Sequence, residues 1–217
     1  MSEINVVIFA RGQSTRTQSY EHGNKVYYRF RSRPFLSYVI DSLQGADRIV
    51  VLARDDEKDT SKGLIGKAEF RYGDYKHSLL SYWQEIEDLF TEDSMVIFHF
   101  GDVLYPDLDL QQFWDYGEFE CVMLSKEFPP GGYLFGNGET ITARDHIYHD
   151  LGVYRVTRKF LEFCAEYENQ VEDFWSLIRI LKSRGVEIGI LSYHGRCFEI
   201  GSLKGIWEFK KYIGDTS

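Results

Sequence analysis

Cysteine is scarce in this sequence: there are 3 in 217 residues, Cys121, Cys164 and Cys197, odd in number and far apart. That excludes a disulfide framework and any zinc-ligand spacing, and it fits a reducing cytoplasm. Proline is scarce as well, at 4, and no low-complexity tract breaks the chain, which excludes the disordered and fibrous classes. No stretch approaches the roughly 20 apolar residues of a membrane span. Met1-Ser2-Glu3 leads directly into a short apolar run, without the basic and long apolar regions of a signal peptide. Positive charge is in deficit. With 25 Lys and Arg against 34 Asp and Glu, the net charge is −9, which makes a nucleic-acid backbone a poor partner.

What is present is the material of a core. Hydrophobic residues make up 43% and aromatics 16%, ample for one globular domain spanning 1–217. The charge is uneven. Residues 1–33 hold six cations (Arg11, Arg16, Lys25, Arg29, Arg31, Arg33) against Glu3 and Glu21, while the remainder holds 19 cations against 32 acids. A basic start on an acidic protein suggests either a site for a small polyanion or a solvated basic face.

Asn5–Phe9, Arg48–Ala53, Met95–Phe100 and Phe119–Leu124 read as buried strands from their β-branched and apolar content. Pro34–Leu43 reads as a helix with its proline in the first turn. Leu79, Leu80, Trp83, Ile86, Leu89 and Phe90 recur at helical spacing. Pro129–Thr142 reads as a hairpin or loop about the turn Gly136-Asn137-Gly138. Asp150–Val156 and Val186–Leu191 read as strands. Lys159–Tyr167, Asp173–Ser183 and Ser202–Tyr212 read as helices, with Gly185 as a C-cap and Ser202 as an N-cap. Strands alternating with helices predict an α/β fold with a mainly parallel sheet. Trp83, Trp114, Trp175 and Trp207 are expected in the core.

The loop Ala10-Arg-Gly-Gln-Ser-Thr-Arg16 leaves the first strand at the carboxyl edge, where parallel sheets bind ligands. Gly12 permits close backbone approach, consecutive N–H groups around Ser14 and Thr15 can form an anion nest, and Arg16 offers a forked donor for phosphate oxygens. The loop has neither the G-x-G-x-x-G of dinucleotide folds nor the G-K-[ST] of P-loops. Asp102, after Gly101 at a strand end, either caps a turn or ligates a metal. Asp107-Leu-Asp109 has a D-x-D form and reads as the capped start of a helix.

Ala10-x-Gly12-x-Ser14-Thr15-Arg16 resembles the L-A-A-G-x-G-T-R loop of the nucleotidyltransferases that make nucleotide-sugars. Asn24-Lys25, nine residues before Arg33-Pro34, stands at that family's spacing from its reactive lysine to its second proline. Pro34-Phe-Leu-Ser-Tyr-Val-Ile40 is similar to its K-P-[ML]-[IL]-x-Y-V-I helix. Val96–Leu104 resembles its strand ending in G-D, Asp150-Leu-Gly-Val-Tyr154 its N-A-G-[IV]-Y, and Phe198-Glu-Ile-Gly-Ser202 its D-I-G-T. The elements follow the family order over nearly the whole chain.

The resemblance implies a Rossmann-like, three-layer α/β/α sandwich of the glycosyltransferase-A type, with a small hairpin region. It implies transfer of a nucleotidyl group from an NTP to a sugar 1-phosphate, releasing pyrophosphate. Ala10, Arg11, Gly12, Gln13, Ser14 and Thr15 would bind the nucleotide. Arg16 would hold the β- and γ-phosphates and Lys25 the α-phosphate, where charge builds in the transition state. Asp102 and Glu199 would hold Mg²⁺, which accepts one or two carboxylates beside phosphate oxygens and water. Gly132, Tyr133 and Asp150 would bind the acceptor. Partners would be an NTP and a phosphorylated small molecule, with neither nucleic acid nor membrane, and oligomerisation is left open.

The departures are informative. Arg11 and Ser14 replace small residues, Asn24 replaces a proline, Glu199 replaces aspartate and Asp150 replaces asparagine. Arg11-Gly12-x-Ser14 is similar to the A-R-G-G-S loop of cytidylyltransferases that activate acidic sugars, which points to CTP. Arg144-Asp145-His146 stands where a Glu-Lys pair is usual. His146 and His149 read as surface or packing residues. Two other classes remain open: a binding or regulatory domain that has lost the chemistry, and a metal-dependent glycosyltransferase using Asp107 and Asp109.

Overall fold

The structure is a computed structural model that describes residues 3–11, 24–74, 83–128, 140–143, 146–167, 170 and 174–215, without the side chains at 127–128, 140–143, 146–148 and 175. The strands and helices among these residues run β1 (Glu3–Phe9), β2 (Arg29–Phe30), β3 (Arg33–Pro34), α1 (Phe35–Ser42), β4 (Arg48–Arg54), α2 (Lys58–Ser61), β5 (Glu69–Gly73), β6 (Ser94–Phe100) and β7 (Val103–Leu104). They continue with β8 (Cys121–Phe128), β9 (Thr140–Ala143), β10 (His146–Val156), α3 (Arg158–Tyr167), α4 (Phe174–Ser183), β11 (Ile188–Ser192), β12 (Phe198–Glu199) and α5 (Leu203–Tyr212). The architecture is α/β with mainly parallel strands and short antiparallel hairpins.

The chain forms two compact units. One comprises Glu3–Lys76, His99–Leu110 and Gly195–Ser217, and the other His77–Phe98 and Gln111–His194. β6 gives residues to both. In the first unit the strand order is β6-β1-β4-β5. β1 pairs parallel with β4, from Asn5 opposite Arg48 to Phe9 opposite Leu52. β4 pairs parallel with β5, from Val50 opposite Glu69 to Arg54 opposite Gly73. Ile4 and Val6–Ile8 of β1, and Val50–Ala53 of β4, are buried. Near-continuous apolar runs of this kind belong to strands covered on both faces.

The hairpin β2–β3 turns through Arg31 and Ser32, both at positive φ (46° and 65°), the handedness that a two-residue hairpin demands. α1 follows at once and buries Phe35, Leu36, Val39 and Ile40. Phe209 of α5 closes this unit's aromatic cluster. Its ring lies 4.8 Å from Phe30, 5.0 Å from Phe35, 5.2 Å from Tyr38 and 5.7 Å from Phe198. Edge-on rings at such separations add to the energy of area burial. The cluster thereby holds β12, which Phe198 opens, against α1 and the hairpin.

In the second unit the order is β11-β8-β10-β6. β8 runs parallel to β11 and antiparallel to β10, with a bulge in β10 between Asp150 and Tyr154. β9 is antiparallel to β10. α3 buries Phe160, Leu161 and Cys164, α4 buries Phe174, Leu177, Ile178 and Leu181, and the Phe174 ring lies tilted against Tyr154 with centroids 4.3 Å apart. Among the described residues no helix is long and apolar enough to cross a membrane.

The structure differs from the sequence reading in several places. Residues 83–89 form 3-10 turns instead of an α-helix; a three-residue apolar spacing serves a three-residue turn equally well. Pro34 is the N-cap of α1, one residue ahead of its first turn. β8 starts at Cys121 and runs on to Phe128. β5 has no counterpart in the reading, because Glu69-Phe-Arg-Tyr-Gly73 carries charge on a partly exposed edge strand. The helix after Asp109 is a 3-10 helix, Leu110–Tyr116. Trp207 is 62% exposed and Trp114 37%, so neither is a core residue; Trp207 lies instead beneath the Lys211 ammonium, 5.4 Å from the ring centre. The turn at 136–138 lies outside the described residues.

Candidate active site

The site assembles within the first unit at the carboxyl ends of β1 and β6. Beyond Phe9, the Ala10 N–H donates to the Leu52 carbonyl at 3.0 Å, and the Gly101 N–H donates to the Phe9 carbonyl at 3.0 Å. A Cβ on Gly101 would stand 3.1 Å from the Phe9 oxygen and 3.3 Å from Ile8 Cγ2. The bare glycine therefore lets the turn after β6 settle against β1 and fixes where Asp102 emerges.

Asn24 ties the next segment to the same strand end. Its side-chain amide donates to the Ala10 carbonyl, and its Oδ1 accepts the Val26 N–H at 3.3 Å. Asn24 is thus the N-cap of a 3-10 turn, Lys25–Tyr27, and presents Lys25 beside the end of β1. The Lys25 ammonium forms an ion pair with the Asp102 carboxylate, the two side chains being 19% and 22% exposed.

Glu199 arrives from the other end of the chain. β12 pairs antiparallel with β7, placing Glu199 opposite Val103, and the Ile200 N–H donates to the Asp102 carbonyl at 3.0 Å. A Cβ on Gly201 would lie 2.6 Å from Glu199 Oε1 and 3.3 Å from Lys25 Nζ. The carboxylate and the ammonium therefore converge over a residue that has no side chain to intervene. Ser202 caps α5 by accepting the Gly205 N–H at 3.1 Å. Gly205 lies so close to Glu199 that a Cβ there would overlap its carbonyl at 1.8 Å.

Lys25, Asp102 and Glu199 thus meet at one strand edge. Asp102 and Glu199 are the two carboxylates beside Lys25 that could contribute to holding a hard cation. Among the described residues no group of three or more His, Cys, Asp or Glu is placed to hold a metal ion. Beneath the site His99 is fully buried, with a ring bond to the Phe100 carbonyl at 2.8 Å that requires the proton on Nδ1. Burial pushes its pKa down to about 4, against the opposing pull of that carbonyl and of Asp102.

The other sequence candidates lie as follows. Arg11 is buried, and its guanidinium donates to the carbonyls of Ala53 at 2.8 Å and Arg71 at 3.1 Å. It joins β4 to β5. Asp150 belongs to the second unit. Its Oδ1 accepts the Gly152 N–H at 2.8 Å and its Oδ2 accepts the Tyr154 hydroxyl, which shapes the bulge in β10 about Gly152 (φ 72°). Asp107 pairs with Arg196 at 3.4 Å. Gly12, Gln13, Ser14, Thr15, Arg16, Gly132 and Tyr133 lie outside the described residues. Sequence reasoning missed Gly201 and Gly205, although two glycines four apart around a Ser N-cap were signal enough for a backbone packed hard against a strand.

No model of a known protein family matches the sequence, and no curated protein sequence matches it. Solved structures do. The inositol-1-phosphate CTP transferase from T. maritima superposes with a TM-score of 0.73 at 16% identity, over 100% of this chain and 98% of that one. HddC from Yersinia pseudotuberculosis, complexed with GMP-PN, gives 0.73 at 17% identity, over 98% and 100%. The CTP:phosphocholine cytidylyltransferase from Streptococcus pneumoniae gives 0.65 at 17% identity, over 97% and 99%. The chain has the Rossmann-like α/β fold of these nucleotidyltransferases along its whole length.

Proposed function

We propose that the protein is a nucleotidyltransferase that moves a nucleotidyl group from an NTP to a phosphorylated small molecule, a sugar 1-phosphate or a similar acceptor, and releases pyrophosphate. The observation that carries this reading is the convergence of Lys25, Asp102 and Glu199 at the carboxyl edge of β1 and β6. Fold likeness to enzymes of this reaction class supports it.

An acceptor phosphate oxygen attacks the α-phosphorus, the bond from that phosphorus to the bridging oxygen breaks, and pyrophosphate departs. Such transfers depend on positioning and charge neutralisation. Lys25 is placed to meet the charge that builds on the α-phosphoryl oxygens. Arg16 would take the β- and γ-phosphates, and the backbone of Ala10–Thr15 would cradle the triphosphate. Asp102 and Glu199 would hold Mg²⁺, which supplies further neutralisation of phosphate charge when bound. Gly132, Tyr133 and Asp150 are the acceptor-side candidates. CTP is the first base to test, from the Arg11-Gly12-Gln13-Ser14 loop.

The test is pyrophosphate release from each common NTP with Mg²⁺, against inositol 1-phosphate, glucose 1-phosphate and phosphocholine, for the parent and Lys25→Ala. Release by the parent and its loss in the variant is the expected result. No release, together with no nucleotide-dependent rise in melting temperature at millimolar NTP, overturns the reading.

A further inference from the structure

A cavity of about 240 Å³ lies within the unit of residues 77–98 and 111–194, where β6 begins and β10 ends. Lys25, Asp102 and Glu199 do not line it. Phe90, Met95 and Phe113 give it a buried apolar wall, and Trp114 adds a ring that stays partly open to solvent. Its charged lining consists of Arg155, near the end of β10, and Arg158, the first residue of α3; among the described residues no acid joins them. Arg155 is 7% exposed. Its Nη2 donates to the Tyr116 carbonyl and, at 2.9 Å, to the Phe119 carbonyl, and its Nε has no partner. Burial weakens its hold on its proton, and Glu118 and Glu120 oppose this only from a distance. Glu120 is itself engaged by the Thr157 hydroxyl and, at 3.1 Å, by the Lys159 ammonium. Arg158 donates to the Phe90 carbonyl at 2.8 Å and stands 3.4 Å from Glu87, both of those side chains being more than half exposed.

We propose that this cavity is a binding site for a small aromatic anion, with Arg155 and Arg158 meeting the anionic group and Trp114, Phe90 and Phe113 enclosing the ring. The inference goes beyond the proposed reaction and does not rest on it. Three features carry it. A buried arginine is ordinarily paired with an acid, and Arg155 is bonded to neutral carbonyls alone, which hold the guanidinium in place without neutralising it. The lining carries two cations and no acid in a chain whose net charge is −9, so the local field runs against that of the whole protein and selects an anion. Finally, Trp114 leaves a large ring on the wall instead of in the core, and a flat apolar body is what such a ring covers best. Size narrows the class. The cavity volume is about eight times a water molecule's share of the liquid and falls below the roughly 300–1,000 Å³ of pockets that take drug-sized ligands. It suits one ring with one anionic group and excludes a whole NTP. Forked donors such as these match carboxylate and phosphate oxygens alike.

The test is a binding titration of the full chain, followed by ligand-observed NMR and run without nucleotide. The probes are benzoate and phenyl phosphate, with benzyl alcohol as a ring without the charge and acetate as a charge without the ring. The proteins are the parent, Trp114→Ala, Arg158→Ala and Lys25→Ala. Trp114 and Arg158 are exposed enough to be replaced without opening the core, whereas Arg155 is left intact because its carbonyl bonds bear on folding. At least one aromatic anion should bind the parent saturably in the millimolar range or tighter. Benzyl alcohol and acetate should bind about tenfold more weakly or not at all, and Arg158→Ala should weaken the anion about tenfold, the factor for a hydrogen bond to a charged group. Trp114→Ala should weaken it about threefold or more, the scale of one ring contact, and Lys25→Ala should bind as the parent does. Absence of saturable binding by both aromatic anions overturns the proposal, and so does parental affinity in either folded Trp114→Ala or Arg158→Ala. Equal affinity for benzyl alcohol overturns the anionic class. Binding that survives in those two variants and disappears in Lys25→Ala belongs to the transfer site and overturns the proposal as well.

Discussion

The Lys25 ammonium and the Asp102 carboxylate form an ion pair across the ends of two segments far apart in sequence, each side chain retaining about a fifth of its surface to solvent. The pair is sheltered enough to be ordered and open enough to be broken by an arriving phosphate. Its weight in stability is small, because partly exposed pairs contribute about 0–1 kcal/mol.

Lys25→Ala should therefore leave the melting transition within a few degrees of the parent and reduce turnover by about 10²–10³-fold, the scale for removing one preorganised charge-stabilising donor. Parallel calorimetry and pyrophosphate assays check both halves. Equal turnover in the two proteins refutes the role given to the lysine.

Gly201→Ala places a methyl 2.6 Å from Glu199 Oε1 and 3.3 Å from Lys25 Nζ. The clash falls on the ends of two flexible side chains, so the cost in stability should be under about 1 kcal/mol. Turnover should fall, with a higher Mg²⁺ requirement, because the carboxylate is displaced. A Mg²⁺ titration of activity in both proteins measures it.

Ser32→Gly should stabilise the protein by about 0.5–1 kcal/mol, since Ser32 holds φ at 65° in the β2–β3 turn, a region that costs ordinary residues about 1–2 kcal/mol. Urea unfolding at fixed pH reads the difference.

His99 makes stability depend on pH with a definite sign. Burial lowers its pKa from 6.5 to about 4. The unfolded chain takes up this proton near pH 6.5 and the folded protein only near 4, so the contribution is complete above 6.5 and is lost as pH falls from 6.5 to 4. The full loss is about 3 kcal/mol. His99→Phe should flatten this part of the profile, and unfolding curves for parent and variant at pH 7 and pH 4.5 show whether it does.

The sequence made the strands of the sheet legible because β1, β4 and β6 are apolar on both faces. Lys25, Asp102 and Glu199 are picked out by the resemblance of Asn24-Lys25 before Pro34, of Gly101-Asp102 and of Glu199–Ser202 to motifs of the nucleotidyltransferase family. The anchoring of that site was not legible. Asn24 bonds Ala10 across a loop closure that no local pattern encodes. The resemblance assigns Arg11 to the nucleotide-binding loop, and no local pattern announces that its guanidinium also joins β4 to β5. The aromatic content of α5 reads as core, but of its aromatics only Phe209 is buried, at 0% exposure, with Ile206 beside it in the core. The segment at 83–89 shows the limit of periodicity, which cannot separate a tight helix from a wide one over seven residues.

The β7–β12 pairing has a consequence for the protein's birth. Lys25 and Asp102 leave the ribosome well before Glu199, whose strand neighbour Phe198 packs on Phe209 of α5, the ring that also meets Phe30 and Phe35. With synthesis at about 5–20 residues per second, the nascent chain spends several seconds with an ammonium and a single carboxylate exposed at the strand edge. During that interval Lys25 has Asp102 for company but not yet Glu199, and the three side chains meet only after the C-terminal segment has been made.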